Sequence, residues 1–192
     1  NFVRVDENDI ISDLLTELDL QKFLTENNLS FKDLDAVLFV DYNKGFLTQD
    51  FIQKISEICK LCGVLTFIDT KKILGYWSEK ITFVKINDKE YNYNFDIIGN
   101  KITDFCENLI VTLGKNGSKH ISKEGKEEII PTNEVKISNV AGAGDSYLAA
   151  FVIKYLETKS IIESMKFANR VATFAVTQPG IIAVKLSDLN NN

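Results

Sequence analysis

The chain has 192 residues, 45% hydrophobic and 26% charged, a balance that excludes a disordered protein and suits one domain with a sizeable core. Its formal net charge of -5, with no long block of Lys or Arg, argues against a nucleic-acid surface. No apolar run reaches the length of a membrane span, NFVRVDEND does not read as a signal peptide, and three cysteines are too few for a disulfide framework, so a cytoplasmic protein is expected.

AVLFVDY (36–42) is the first recognisable unit, a short apolar run of strand formers closed by Asp41 and followed by a loop with Gly45. Thr48 suits the cap of the next helix, Asp50 its first turn and Gly63 its exit. VLTFID (64–69), KITFVKI (80–86) and LIVTLG (109–114) read as three further buried strands, with shorter helical stretches before the last. Apolar strands alternating with helices imply a parallel sheet covered on both faces. KHISKEGKEEIIP differs: its two extended pieces flank Gly125 and predict an antiparallel hairpin near the sheet edge. A helix is expected from about Asp145 to Leu156. A second would open with the capping box Ser160-x-x-Glu163 and bury Met165, Phe167, Ala168, Val171, Ala172 and Phe174. Without repeat, linker or composition shift, residues 1–192 read as one domain whose Asn-rich end is frayed.

Cys59 and Cys62 form a CxxC at the end of the helical pattern FIQKISEICKLCG, sharing a face with Phe51, Ile52, Ile55 and Ile58. There is no second CxxC, and His120 is the only histidine, so two core thiols are favoured over a metal or redox pair.

In an open α/β sheet, ligands bind beyond the carboxyl ends of the strands. That rule puts Asp41, Asp69, Asn87 and the Gly114 loop on one rim, with the glycines of SNVAGAGDSYL (138–148) as candidates for it. GxGxxG fails because Tyr147 stands where the third glycine would be, and no Walker A loop occurs. What remains is GAGD. The amides of Gly142, Ala143 and Gly144 can cradle an anion at a helix N-terminus, and Asp145 beside them can serve as general base for an alcohol. Spacing alone supports equally a glycine-rich turn with Asp145 as a helix-start residue.

GAGDSYLAA resembles the signature of the ribokinase-like (PfkB) sugar kinases, and further matches follow in order. VDYNKGFL (40–47) is similar to the DYxKG segment of the heptose-phosphate kinase branch, and FIDTKK, ending at Lys72, to that branch's DPK loop. Asn87-Asp88-Lys89-Glu90 fits the family's NxxE motif, VTLGKNG (111–117) its nucleotide loop and FANRVATFAV its last helix. The resemblance implies a ribokinase-like three-layer α/β sandwich with a mostly parallel sheet. It also implies ATP and Mg2+ as cofactors, and phosphoryl transfer to a sugar or sugar-phosphate hydroxyl, heptose phosphate foremost.

Residue by residue, the resemblance makes Asp145 the base and the amides of Gly142, Ala143 and Gly144 the stabilisers of the transferring phosphoryl group. Asn87 and Glu90 would organise magnesium and its waters. Thr112, Gly114 and Gly117 would line the nucleotide, with Asn169 near adenine or ribose; Lys44 would meet a phosphate, with Asp41 orienting it. Each has a plainer reading: Asn87 and Glu90 as a solvated helix start, Lys44 facing solvent, Thr112 and Gly114 as a strand end, Asn169 as a buried amide with local partners.

Departures from the pattern are also present. Asn139-Val140-Ala141 stands where the family commonly has Asp-x-Thr, which puts a monovalent-cation site in doubt, and DTKK replaces DPKG. FVRVDEND resembles a segment well inside such kinases, so the sugar-motif and lid portion has no counterpart here, and an upstream segment or a homodimer partner is the implied complement. The rival function is a non-catalytic nucleotide-binding module.

Overall fold

The computed structural model describes residues 14–189; the opening NFVRVDEND and Asn190–Asn192 lie outside the described residues. Two compact units are present, one running up to Val84 together with Asp104–Glu107, the other comprising Lys85–Thr103 and the chain from Asn108 onward.

The first unit opens with α1 (Glu17–Glu26), held by a capping box in which the Thr16 hydroxyl accepts from the Asp19 amide and the Asp19 carboxylate accepts from the Thr16 amide. The T-x-x-D pattern marks this start, a helix not among those expected from the sequence. β1 (Ala36–Asp41) pairs in parallel with β2 (Leu65–Thr70), Ala36 opposite Leu65 and Asp41 opposite Thr70, and the order continues into β3 (Phe83–Asn87). Between β1 and β2 runs α2 (Gln49–Cys62), bracketed as predicted: the Thr48 hydroxyl accepts from the Phe51 amide, and Gly63 exits in the left-handed region.

α2 buries Phe51, Ile52, Ile55 and Cys59, while Ile58 and Cys62 are only partly covered. Burial pushes the Cys59 thiol up to about 11, which keeps it a thiol rather than a thiolate at neutral pH. The core of this unit holds Phe67 and Phe83 stacked with centroids 5.1 Å apart. β3 starts later than KITFVKI suggests. Thr66 and Thr82 exchange side-chain and backbone hydrogen bonds, at 3.2 and 3.0 Å, so the hydroxyls take the place of ladder bonds there.

Asp41 closes β1 nearly buried. One carboxylate oxygen accepts from the Thr70 hydroxyl at 2.9 Å and from the Lys72 ammonium; the other accepts from the Asn43 amide at 2.9 Å. The side chains of Lys72 and Asp41 are 11% and 3% exposed, so this is a buried ion pair. The sequence reading has Lys44 meeting a phosphate with Asp41 orienting it; in the structure Asp41 is ion-paired with Lys72, and Lys44 is exposed in the loop after β1.

The second unit continues from β3 through β4 (Asn108–Thr112), β5 (Ser118–Ser122) and β6 (Glu127–Ile130). β5 pairs antiparallel with both β4 and β6, which is the predicted hairpin around Gly125, with β6 last in the order. α3 (Asp88–Ile98) and a 3-10 stretch (Gly99–Phe105) precede β4. α4 (Ala143–Thr158) packs on α5 (Ile161–Thr177), with Phe151, Met165 and Ala168 in the core, and α6 (Leu186–Leu189) is short. Of the face predicted on α5, Met165, Ala168 and Val171 are buried, whereas Phe167, Ala172 and Phe174 are half-buried. Of the predicted capping box, the Ser160 hydroxyl accepts from the Glu163 amide at 3.3 Å. No helix among the described residues is long and apolar enough to cross a membrane.

Two consequences are measurable. Lys72→Met leaves the Asp41 carboxylate buried without its cation and should cost roughly 3 kcal/mol in urea unfolding, most of it regained in the Asp41→Asn/Lys72→Met double variant; equal loss in both would remove the pair from the stability of this unit. A Cβ at Gly117 would stand 2.1 Å from the Ile130 carbonyl oxygen at a φ of +88°, so Gly117→Ala should cost about 2–4 kcal/mol. An alanine variant with the parent's unfolding midpoint would contradict that packing.

Candidate active site

α4 starts two residues earlier than its sequence suggests. Gly142 caps it in the left-handed region at φ +78°, and the Ser146 amide donates to the Gly142 carbonyl at 2.9 Å, so Ala143, Gly144 and Asp145 form the first turn itself. The amides of a first helical turn have no acceptor inside the helix. That of Ala143 donates to the Val140 carbonyl at 3.3 Å. Ahead of the turn, the Asn139 side-chain oxygen accepts from the Ala141 amide at 3.0 Å, and the amides of Ser138 and Asn139 donate to the Val176 carbonyl at the end of α5. Asn139 therefore keeps a turn-forming acceptor where the family pattern has a carboxylate.

Six of the residues singled out in the sequence meet at one place. Thr112, Gly114, Gly117, Ala143, Gly144 and Asn169 line a cavity of about 300 Å³. Val135, Val140, Ala172 and Val176 give it apolar walls, and Lys115 and Glu134 are the charged groups on its lining. Gly142 and Asp145 face a neighbouring cavity of about 590 Å³, so one helical turn borders both spaces. Asp145 itself is exposed.

The back wall of the smaller cavity is built by close approach. Gly117 abuts Ile130 and Pro131, and the buried amide of Asn169 donates to the Ile130 carbonyl at 2.9 Å. Asn169 therefore has the local partner that its plainer reading required, while still lining the cavity. Tyr147, one turn into α4, is buried and donates to the Ser118 hydroxyl at 2.8 Å; burial raises its phenol well above the ordinary value. Neither Tyr147 nor the irregular stretch around Thr132 to Val140 was recognised from sequence as part of a site. Tyr147 fits the core pattern of α4, and the irregular stretch has no period.

Asn87 and Glu90 form a reciprocal capping box at the start of α3. The Glu90 amide donates to the Asn87 side-chain oxygen at 2.9 Å, and the Asn87 amide to the Glu90 carboxylate at 2.8 Å. They do not line the cavity of the other six, but the Thr112 hydroxyl contacts the carbonyl of Ile86, the residue before Asn87, at 3.5 Å. Among the described residues no group of three His, Cys, Asp or Glu is placed to hold a metal ion. The donor set Asn87 and Glu90, hard oxygens in half-buried positions, fits magnesium that keeps most of its waters. Lys44 belongs to the first unit.

Comparison with known proteins bears on family and fold. The chain is 30% identical over 168 residues to the bifunctional protein HldE of Sulfurimonas denitrificans, covering 81% of this chain and 35% of that protein. It is 33% identical over 134 residues to the ribokinase of Dictyostelium discoideum, covering 66% of this chain and 42% of that protein. The chain thus spans well under half the length of these curated relatives. Among solved structures, Arabidopsis thaliana ribokinase complexed with ribose and ATP superposes with a TM-score of 0.67 at 18% identity, covering 88% of this chain and 55% of that one, a likeness that shows a ribokinase-like α/β fold. The model of pfkB family carbohydrate kinases matches residues 18–188, and the chain belongs to that family.

Proposed function

We propose that this protein takes part in ATP-dependent phosphoryl transfer to a hydroxyl of a sugar or sugar phosphate, acting in the cytoplasm. The observation that carries the reading is the first turn of α4, which presents Ala143 and Gly144 to one cavity and Gly142 and Asp145 to its neighbour. Transfer between two bound reactants needs an anion cradle and a base on adjacent sides of one rigid element. In this reading Thr112, Gly114, Gly117 and Asn169 enclose the nucleotide. The first-turn amides stabilise charge on the moving phosphoryl group, helped by the positive end of the helix. The Asp145 carboxylate takes the acceptor's hydroxyl proton as its oxygen bonds to the γ-phosphorus. The bond from that phosphorus to the bridging oxygen breaks, and ADP keeps the electron pair. Asn87 and Glu90 would hold magnesium through its waters, and the ion would supply charge neutralisation on the phosphates. Heptose phosphate is the leading acceptor because VDYNKGFL and FIDTKK resemble the heptose-phosphate kinase branch, and the similarity to HldE points the same way.

A non-catalytic nucleotide-binding module is the second reading, favoured by Asn139 and Ala141 where the family has an acid and a hydroxyl. One variant separates the two. Asp145→Asn preserves shape but removes the base, so turnover should fall by roughly 10²–10⁴-fold with ATP affinity little changed. Turnover equal to the parent's would rule out Asp145 as the base, and a parent that binds ATP without transferring phosphate to any sugar would favour the binding module. For the metal, Glu90→Gln should raise the magnesium concentration needed for half-maximal turnover. A titration superimposable on the parent's would take Glu90 out of the metal site.

A further inference from the structure

Two buried hydroxyls join the cradle to the nucleotide loop. Ser118 follows Gly117 directly and is fully buried; Tyr147 stands four residues after Ala143 and three after Gly144, on the same face of α4, and is 3% exposed. Their hydrogen bond is the polar tie between the helix that carries the cradle and the strand that carries the loop. Gly117 is itself fixed against the Ile130–Pro131 backbone, so Ser118 is an anchored acceptor. Phenol and hydroxyl lie away from water, so each needs the other.

We infer that Tyr147 is a positioning residue: through Ser118 it sets the distance between the first-turn amides of α4 and the loop that holds the nucleoside. The inference rests on the nucleotide reading above and goes beyond it, because it gives the phosphate end and the nucleoside end of the ligand separate anchors with one adjustable link. A ligand that spans both anchors senses the link. A ligand that uses only the loop does not.

The test compares ATP with adenosine by titration calorimetry. In Tyr147→Phe and in Ser118→Ala, which break the same bond from opposite sides, ATP affinity should fall about 5–10-fold while adenosine affinity stays within about twofold. The Tyr147→Phe/Ser118→Ala double variant leaves neither hydroxyl orphaned, so it should regain thermal stability relative to the single variants and still show the ATP-specific loss. Parallel losses for ATP and adenosine, or restoration of ATP affinity along with stability in the double variant, would reduce the bond to simple core packing and overturn the inference. Unchanged ATP affinity in all variants would do the same. A parent that binds neither ligand would overturn the nucleotide reading itself, which the variants cannot mimic.

Discussion

The constraint on which the candidate site depends is the approach of Gly117 to the end of β6. No side chain fits there, because a Cβ would sit 2.1 Å from the Ile130 oxygen and 2.9 Å from two Pro131 atoms. The contact closes the loop after β4 onto the strand two places further along the sheet order, and it does so through backbone, which has no rotamers to relax. The Leu113 amide donates to the Gly117 carbonyl at 2.8 Å, so the loop is also closed on itself. Asn169 then reads the same Ile130 carbonyl from α5. A loop, a strand end and a helix thus share one carbonyl neighbourhood, and the cavity is what they leave between them.

Against that fixed wall, α4 is placed by different means. Its N-terminus is capped by no side chain; Gly142 in the left-handed region makes the turn, and a Cβ there would press on Ile181 at 3.2 Å. The segment leading in is held by Asn139 on Ala141 and by the amides of Ser138 and Asn139 on Val176. The start has no side-chain cap and the Ala143 amide is taken by the Val140 carbonyl, so the Gly144 amide is the one left for a ligand, where a Ser or Asp at the cap would compete for such a group. Stability at that turn comes from the residues around it, and this lets the turn itself stay bare.

Much of this was legible in the sequence because local signals and the fold agree. Thr48 and Gly63 bracket α2, Gly125 marks the hairpin, and apolar runs mark β1, β2 and β4. The misses have local physical causes. KITFVKI looks like strand throughout, but the hydroxyls of Thr66 and Thr82 replace ladder bonds at its start. α4 reaches back over Ala143 and Gly144, residues that sequence alone assigns to a loop, because Gly142 supplies the positive φ just before them. Among the cavity-lining residues, the glycines and Asn169 are legible through the resemblance of their segments to the PfkB pattern, spacing alone leaving a plain turn equally open. The pairing of Lys72 with Asp41 is not legible in the sequence, since matching two residues 31 apart requires knowing that β1 and β2 lie side by side. Tyr147 was hidden for the opposite reason: an aromatic in an apolar helix face reads as core, and it is core, with a hydroxyl aimed at Ser118.

Asn87 and Glu90 show why a structural role and a chemical one need not compete. In the capping box one oxygen of each side chain accepts a backbone amide, which holds the rotamers of both residues at the start of α3. A carboxylate has two oxygens and about four acceptor sites, and an amide oxygen has two, so the box uses only part of their capacity. The remaining lone pairs are held in fixed directions without the entropic cost of ordering a free side chain when waters or a metal arrive. A hydrated divalent ion asks for such donors, oriented and only half-buried, because it gives up its own waters reluctantly. On the proposed reading the capping box is therefore the preorganisation of the metal site. The plain helix-start interpretation and the functional one then describe the same four hydrogen-bonding groups.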